Sequence, residues 1–234
     1  MQITPLGDNA LVLELGDVID ESTHLRVQKV WRALAAAPLP GVTELVPAYT
    51  TVTAFYDPLA AVRAGAPEGD IADWLGVKLR ERIKDPPKSE KFKSRTVEIP
   101  VCYDAEFGPD LGLVAKQAKL TPEEVVKRHA KPEYLVYLVG FAPGFPYLGG
   151  LPKELRTPRH AKPRMAVPPG SVGIGGEQTG IYPLATPGGW NLIGRTPMKL
   201  FRPGEEPPVL LRAGDRVKFK AITREEFAKL EEAR

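Results

Sequence analysis

Two hydrophobic periods run along this chain, and the change from one to the other marks its organisation. Ala10–Leu15 (ALVLEL) is a short apolar run that predicts a strand. Over Ser22–Ala37, Leu25, Val27, Val30, Trp31 and Leu34 recur at helical spacing with Arg26, Lys29 and Arg32 elsewhere. This predicts an amphipathic helix that Pro38 and Pro40 stop. Val42–Val46 and Thr51–Tyr56 read as strands, the second with β-branched alternation. Asp70–Lys84 repeats the helical period, with Ile71, Trp74, Leu75, Leu79 and Ile83 inward. Strand, helix, strands, helix predicts an α+β N-terminal domain over residues 1–85, a sheet with helices on one face.

Asp85–Arg95 (DPPKSEKFKSR) carries two prolines, many charges and little apolar content, so residues 86–95 are expected to be a linker. The second domain, residues 96–234, opens on the alternating strand Thr96–Val101. Helices follow at Pro109–Ala118 and from Thr121 to about Ala130. In the latter, Thr121, Pro122 and Glu124 spell a capping box with proline at the first helical position. Tyr134–Val139 (YLVYLV) is continuously apolar and predicts a central strand. Short strands are expected at Ser171–Ile174, Ile181–Leu184, Asn191–Ile193 and Lys199–Phe201. Val209–Arg212 and Arg216–Ile222 are expected to pair antiparallel across Ala213-Gly214-Asp215. Thr223 and Glu226 cap a last helix, with Phe227 and Leu230 inward. Many short strands with frequent turns predict a mainly-β barrel or sandwich.

Val139–Thr196 is where chemistry is expected. Glycine and proline alternate there with Phe141, Phe145, Tyr147, Tyr182 and Trp190, and with the polar residues Arg159, Arg164, Gln178, Asn191 and Arg195. Such loops are rigid and sharply turned, as pocket walls must be. Arg159, Arg164 and Arg195 each lie beside proline or glycine. A fixed backbone presenting a guanidinium suits bidentate capture of a carboxylate or phosphoryl group. Backbone amides of Ser171–Gly176 can add an anion nest. Salt bridges to Glu154 or Glu177 are the structural alternative for these arginines.

Composition narrows the field. Charged residues are 26% and net charge is +3, with acids interspersed among the bases, so no nucleic-acid surface is indicated. No apolar run approaches the roughly 20 residues of a membrane helix and no signal peptide is evident, so a cytoplasmic location is expected. Cys102 is the single cysteine and reads as a buried, inert thiol. His24, His129 and His160 lack ligand spacing, so no metal site is expected. His24 and His129 fall on predicted helices and are read as surface or interface residues. His160, between Arg159 and Arg164, is placed to titrate beside an anion. GIGGEQ at 173–178 fails the dinucleotide fingerprint at its last position, and no P-loop is present. No catalytic nucleophile can be assigned.

GFAPGFPYLGGLP (140–152), TPR (157–159), PR (163–164), VPPGSVGIGGEQTGIYP (167–183) and TPGGWNLIGRTP (186–197) together resemble the family of 5-oxoprolinase B-type subunits. That family includes the Kip inhibitor of a sporulation histidine kinase. The chain is also similar to the first allophanate-hydrolase-type segment in the carboxyltransferase half of urea amidolyase. The resemblance extends to Gly7–Leu11, Leu45–Tyr49, Tyr56–Pro58 and the Gly108–Leu111 turn; Pro169 departs from it, standing where the family usually has alanine. It implies an α+β domain followed by a cyclophilin-like β-barrel. It further implies ATP-dependent opening of 5-oxoproline to glutamate, together with A-type and C-type subunits. The implied substrate is a small carboxylate-bearing lactam. Arg159, Arg164, Gln178, Tyr182 and Arg195 are its expected contacts; Phe141, Phe145, Tyr147, Gly175, Gly176 and Trp190 are the expected pocket wall. Docking on a histidine kinase and a carboxyltransferase-like role are the alternatives. The latter would need a separate biotin carrier, since no Ala-Met-Lys-Met context occurs here.

Overall fold

The structure, a computed structural model, describes residues 1–85 and 94–233. The chain divides at Lys93/Ser94 into two compact units. The first contains β1 (Gln2–Pro5), β2 (Ala10–Glu14), α1 (Glu21–Ala35), β3 (Val42–Pro47), β4 (Thr51–Tyr56), α2 (Pro58–Arg63) and α3 (Ile71–Lys84). Its antiparallel sheet has the order β1-β2-β4-β3. Asp20 caps α1 by accepting from the Thr23 amide at 2.7 Å. Val27 and Leu34 of α1 and Leu75 and Leu79 of α3 pack with Leu11, Leu13, Val52 and Ala54 of the sheet. Leu25, expected inward, is 62% exposed. It lies two residues from Val27, on the opposite side of a helix of 3.6 residues per turn. His24 occupies the inward position instead and is buried, contrary to its expected surface location.

The second unit contains β5 (Thr96–Cys102), α4 (Leu111–Ala118), α5 (Pro122–Ala130), β6 (Glu133–Val139), β7 (Pro146–Gly149), β8 (Arg164–Val167), β9 (Ser171–Gly175), β10 (Gln178–Ile181), β11 (Thr186–Gly188), β12 (Asn191–Arg195), β13 (Arg216–Ile222) and α6 (Arg224–Glu232). Seven strands close a barrel in the order β10-β7-β6-β13-β5-β12-β9, while β8 and β11 pair separately. Ile99, Val136, Leu148, Val172, Ile174, Ile193 and Phe219 meet in its core, with Val114 of α4 and Val125 of α5 packed against them. Closure leaves the barrel no open edge.

Several expectations change here. The strand expected at Ile181–Leu184 is β10, ending at Ile181, because Gly176 takes a positive φ of 63° and turns the chain straight back after β9. The segments 199–201 and 209–212 make only a single bridge between Phe201 and Val209. Arg216–Ile222 does not form a hairpin with 209–212. It runs parallel to β5 and antiparallel to β6. The Asp215 carboxylate explains the difference. It is buried and accepts from the Arg212 amide at 2.8 Å and from Arg95 at 2.8–3.0 Å, directing the chain into β13 beside β5. Leu230 is 38% exposed, and Phe227 alone anchors α6. His129 is fully buried, not superficial. Residues 86–93 of the expected linker lie outside the described residues. Its last two, Ser94 and Arg95, bond to Gly214 and Asp215 of the barrel unit.

Candidate functional site

One end of β7, β10 and β12 carries a cluster of rings. Phe145 lies at its centre with edge-on contacts to Tyr147 (4.9 Å between centroids), Tyr182 (5.1 Å), Trp190 (5.4 Å) and Phe141 (5.5 Å). Such contacts stabilise by about 0.5–1.5 kcal/mol each beyond burial, so the wall is stiff. Two glycines let the rings lie against backbone. A Cβ on Gly175 would stand 2.5 Å from the Trp190 indole nitrogen, and one on Gly188 would stand 2.5 Å from the Tyr182 hydroxyl. The connection from β6 to β7 places Phe141 at φ 71°, and the residue is 64% exposed. A bulky residue in the left-handed region costs about 1–2 kcal/mol, and such strain concentrates at ligand clamps.

The rings form one side of a cleft of about 290 Å³; Arg159, His160 and the 187–189 turn form the other. Asn191 builds that second side. Its amide donates to the carbonyls of Pro158 (2.9 Å) and Ile174 (3.0 Å), and the His160 amide donates to Gly189 (2.7 Å). Residues 158–160 are thereby laid across the barrel end. The Arg159 guanidinium stands 5.6 Å from the Trp190 ring centroid and makes no ion pair among the described residues. Burial pushes the Tyr147 and Tyr182 phenols up, and Arg159 draws both back down in part. Both remain protonated at neutral pH. The cleft therefore combines an aromatic wall, a cation and two hydroxyls. A larger hollow of about 820 Å³ lies along residues 198–205, but its arginine, Arg202, is already paired with Glu205 at 2.7 Å.

Beside the cleft lies a second constellation. The buried Asp110 accepts from Arg164 Nη2 at 2.7 Å and from the Leu192 amide at 2.7 Å. Its Oδ2 stands 3.4 Å from His160 Nε2. In the sequence Asp110 stands out only as part of the Gly108–Leu111 turn. Its partners are 54 and 82 residues away, so no local pattern announces them.

Of the expected contacts, Arg159 and Tyr182 line the cleft, together with Phe141, Phe145, Tyr147 and Trp190. Arg164 is engaged with Asp110. Arg195 donates from Nε to the Pro169 carbonyl at 2.8 Å, and its guanidinium lies 5.9 Å from the Phe107 ring. Gln178 opens β10 opposite Gly175, at the hairpin end that Gly176 turns. The carboxylates of Glu154 and Glu177 pair with Arg128 and Arg156, not with the candidate arginines. The amides expected to form an anion nest over Ser171–Gly176 are engaged within the barrel unit: Ser171 donates to the Pro168 carbonyl at 3.2 Å, Gly176 to Thr157 at 2.7 Å, and residues 172–175 lie in the β9 ladders with β10 and β12. Cys102 is buried, and burial pushes its thiol up. Among the described residues no group of three or more potential ligands gathers to hold a metal. No helix there is long and apolar enough to cross a membrane.

Residues 1–211 match the model described as carboxyltransferase domain, subdomain C and D, and the chain belongs to that family. Within it, the chain is 48% identical over 228 residues to the B-type subunit of 5-oxoprolinase from Bacillus subtilis (strain 168), covering 97% of this chain and 95% of the relative. It is 44% identical over 215 residues to the corresponding 5-oxoprolinase subunit of Escherichia coli O157:H7, covering 92% and 93%. The crystal structure of TTHA0988 superposes with a TM-score of 0.77 at 40% identity, covering 91% of this chain but only 40% of that longer one. The K. lactis urea amidolyase shares the fold, with a TM-score of 0.76 at 20% identity over 98% of this chain and 15% of its own.

Proposed function

We propose that this chain is the B-type subunit of a cytoplasmic, ATP-dependent 5-oxoprolinase, and that it holds the lactam for ring opening to glutamate. Arg159 carries this reading. It is a cation with no ion pair among the described residues, set over an aromatic wall in a cleft sized for a small ligand. A five-membered lactam bearing one carboxylate matches it: the ring meets Trp190 and Phe145, and the carboxylate meets Arg159. Tyr147 and Tyr182 donate to the remaining oxygens. Near-full-length relatives named as B-type subunits of 5-oxoprolinase support the same reading. We take the barrel as cyclophilin-like and the working enzyme as an assembly with A-type and C-type subunits, within which ATP binds. A resonance-stabilised lactam resists water, and phosphoryl transfer to its oxygen supplies the activation. Arg164, Gln178 and Arg195 then serve the cleft from outside it, Arg164 through Asp110.

Glutamate formation from 5-oxo-L-proline and ATP tests the proposal. Turnover is expected only in the full three-subunit mixture, and not with this chain alone or with any one subunit omitted. In that mixture Arg159→Met is expected to lower kcat/KM by about two orders of magnitude. An assembled mixture that forms no glutamate overturns the reading.

A further inference from the structure

We propose that His160 is the proton-transfer residue of the cleft and that Asp110 is its positioning partner; this rests on the 5-oxoprolinase reading above. His160 lines the cleft beside Arg159, with its backbone amide fixed to Gly189 at 2.7 Å. Its Nε2 is turned inward, 3.4 Å from Asp110 Oδ2. Asp110 is in turn immobilised by the Leu192 amide and by Arg164 Nη2, each at 2.7 Å. A carboxylate facing Nε2 favours the tautomer that carries its proton there, which leaves a lone pair on Nδ1. The 3.4 Å gap is longer than a hydrogen bond, and such contacts tighten when a substrate fills the site. The arrangement is that of a general base held by a buried carboxylate, with Arg164 balancing the carboxylate's charge.

The step it serves is activation of the lactam. His160 Nδ1 takes the lactam N–H proton as the nitrogen lone pair forms a C=N bond. The carbonyl π electrons move to oxygen, and that oxygen bonds to the γ-phosphorus of ATP. The bond from the γ-phosphorus to the β,γ-bridging oxygen breaks, and ADP leaves. The products are a cyclic imidate phosphate, ADP and an imidazolium. Water then adds to the C=N carbon, the C–N bond breaks as the imidazolium returns its proton to nitrogen, and the resulting acyl phosphate is hydrolysed by a second water to glutamate and inorganic phosphate.

The test uses the assembled three-subunit complex and reads 5-oxoproline-dependent ADP and glutamate formation. His160→Ala is expected to lower kcat by ~10²–10⁴-fold. Its KM should stay within about threefold of wild type, because Arg159 and the rings still bind substrate. Added imidazole should restore turnover to His160→Ala, a response that a purely structural histidine would not give. Asp110→Asn is expected to lower kcat without imidazole rescue. Should His160→Ala fail to assemble, diethyl pyrocarbonate treatment of the wild-type complex decides. Modification mapped to His160 should abolish turnover, and 5-oxoproline should protect against both. An active wild-type complex whose His160→Ala form retains turnover, or loses it without imidazole rescue, overturns the assignment alone. So does turnover that survives modification of His160. A wild-type complex that makes no glutamate fails earlier, at the substrate reading, and takes this assignment with it.

Discussion

His129 sits in a directed chain of hydrogen bonds inside the barrel. The Thr179 hydroxyl donates to the Gly173 carbonyl at 3.0 Å, so it must accept from His129 Nε2 at 2.9 Å. Nδ1 is then free to accept from the Tyr103 hydroxyl, also at 2.9 Å. The ring stacks on Phe219 at 4.6 Å. Every polar atom of the imidazole is satisfied in the neutral form, and burial lowers its pKa from 6.5 to about 3. Below pH 6.5 the unfolded chain therefore binds a proton that the folded one refuses. Stability contributed by this residue is complete above that pH and is lost progressively as pH falls toward about 3. Nitrogen-15 NMR of the side chain is expected to show one neutral Nε2–H tautomer that does not titrate between about pH 7.5 and 5. A ring that titrates with a midpoint near 6.5 would exclude the network. Burial of this histidine was not legible in the sequence. Its helix is short and largely polar, and its partners are distant: Tyr103 just after β5 and Thr179 of β10 bond the ring, and Phe219 of β13 stacks on it.

Elements set by neighbouring residues were legible, and elements set by distant ones were not. Both capping boxes form as the sequence spells them: Thr121 with Glu124 on α5, Thr223 with Glu226 on α6. β7, β8 and β11 leave no signal in the sequence because three or four residues are too few to carry a period. The rings and Arg159 of the cleft were legible as a turn-rich aromatic stretch, whereas Asp110 acquires its meaning only through the tertiary fold. Gly175 shows how an element serves the site. It is the last residue of β9, and its bare face receives the Trp190 indole. Gly175→Ala is expected to displace that ring, destabilise the unit by about 1–3 kcal/mol and raise the KM for 5-oxoproline in the assembled complex. Thermal melting and initial rates check both effects; unchanged melting and KM would mean that Trp190 does not need this surface.

The two units have separate cores, which makes their independence testable. The barrel cluster runs from Val97 and Ile99 to Phe219, and the sheet-and-helix cluster from Ile3 and Leu11 to Leu79 and Ile83. They share no member. The barrel closes through β5 and β13, whose parallel pairing aligns Thr96–Cys102 with Arg216–Ile222. Just ahead of that ladder, Arg95 meets Asp215 across 120 residues, at 2.8 Å from Nη2 and 3.0 Å from Nε. Asp215 is buried with only 3% of its side chain exposed, while Arg95 is about half exposed. Losing the arginine therefore leaves a buried carboxylate without its cation, and the penalty belongs to Asp215. A chain beginning at Ser94 is expected to fold alone and to unfold cooperatively in urea. A chain beginning at Thr96 keeps every barrel strand but lacks Arg95, and should be less stable by roughly 1–3 kcal/mol. Equal urea midpoints would show that the ion pair does not secure closure. A Ser94 chain without a cooperative transition would show that the barrel depends on the first unit, despite its complete ring of strands and its own core.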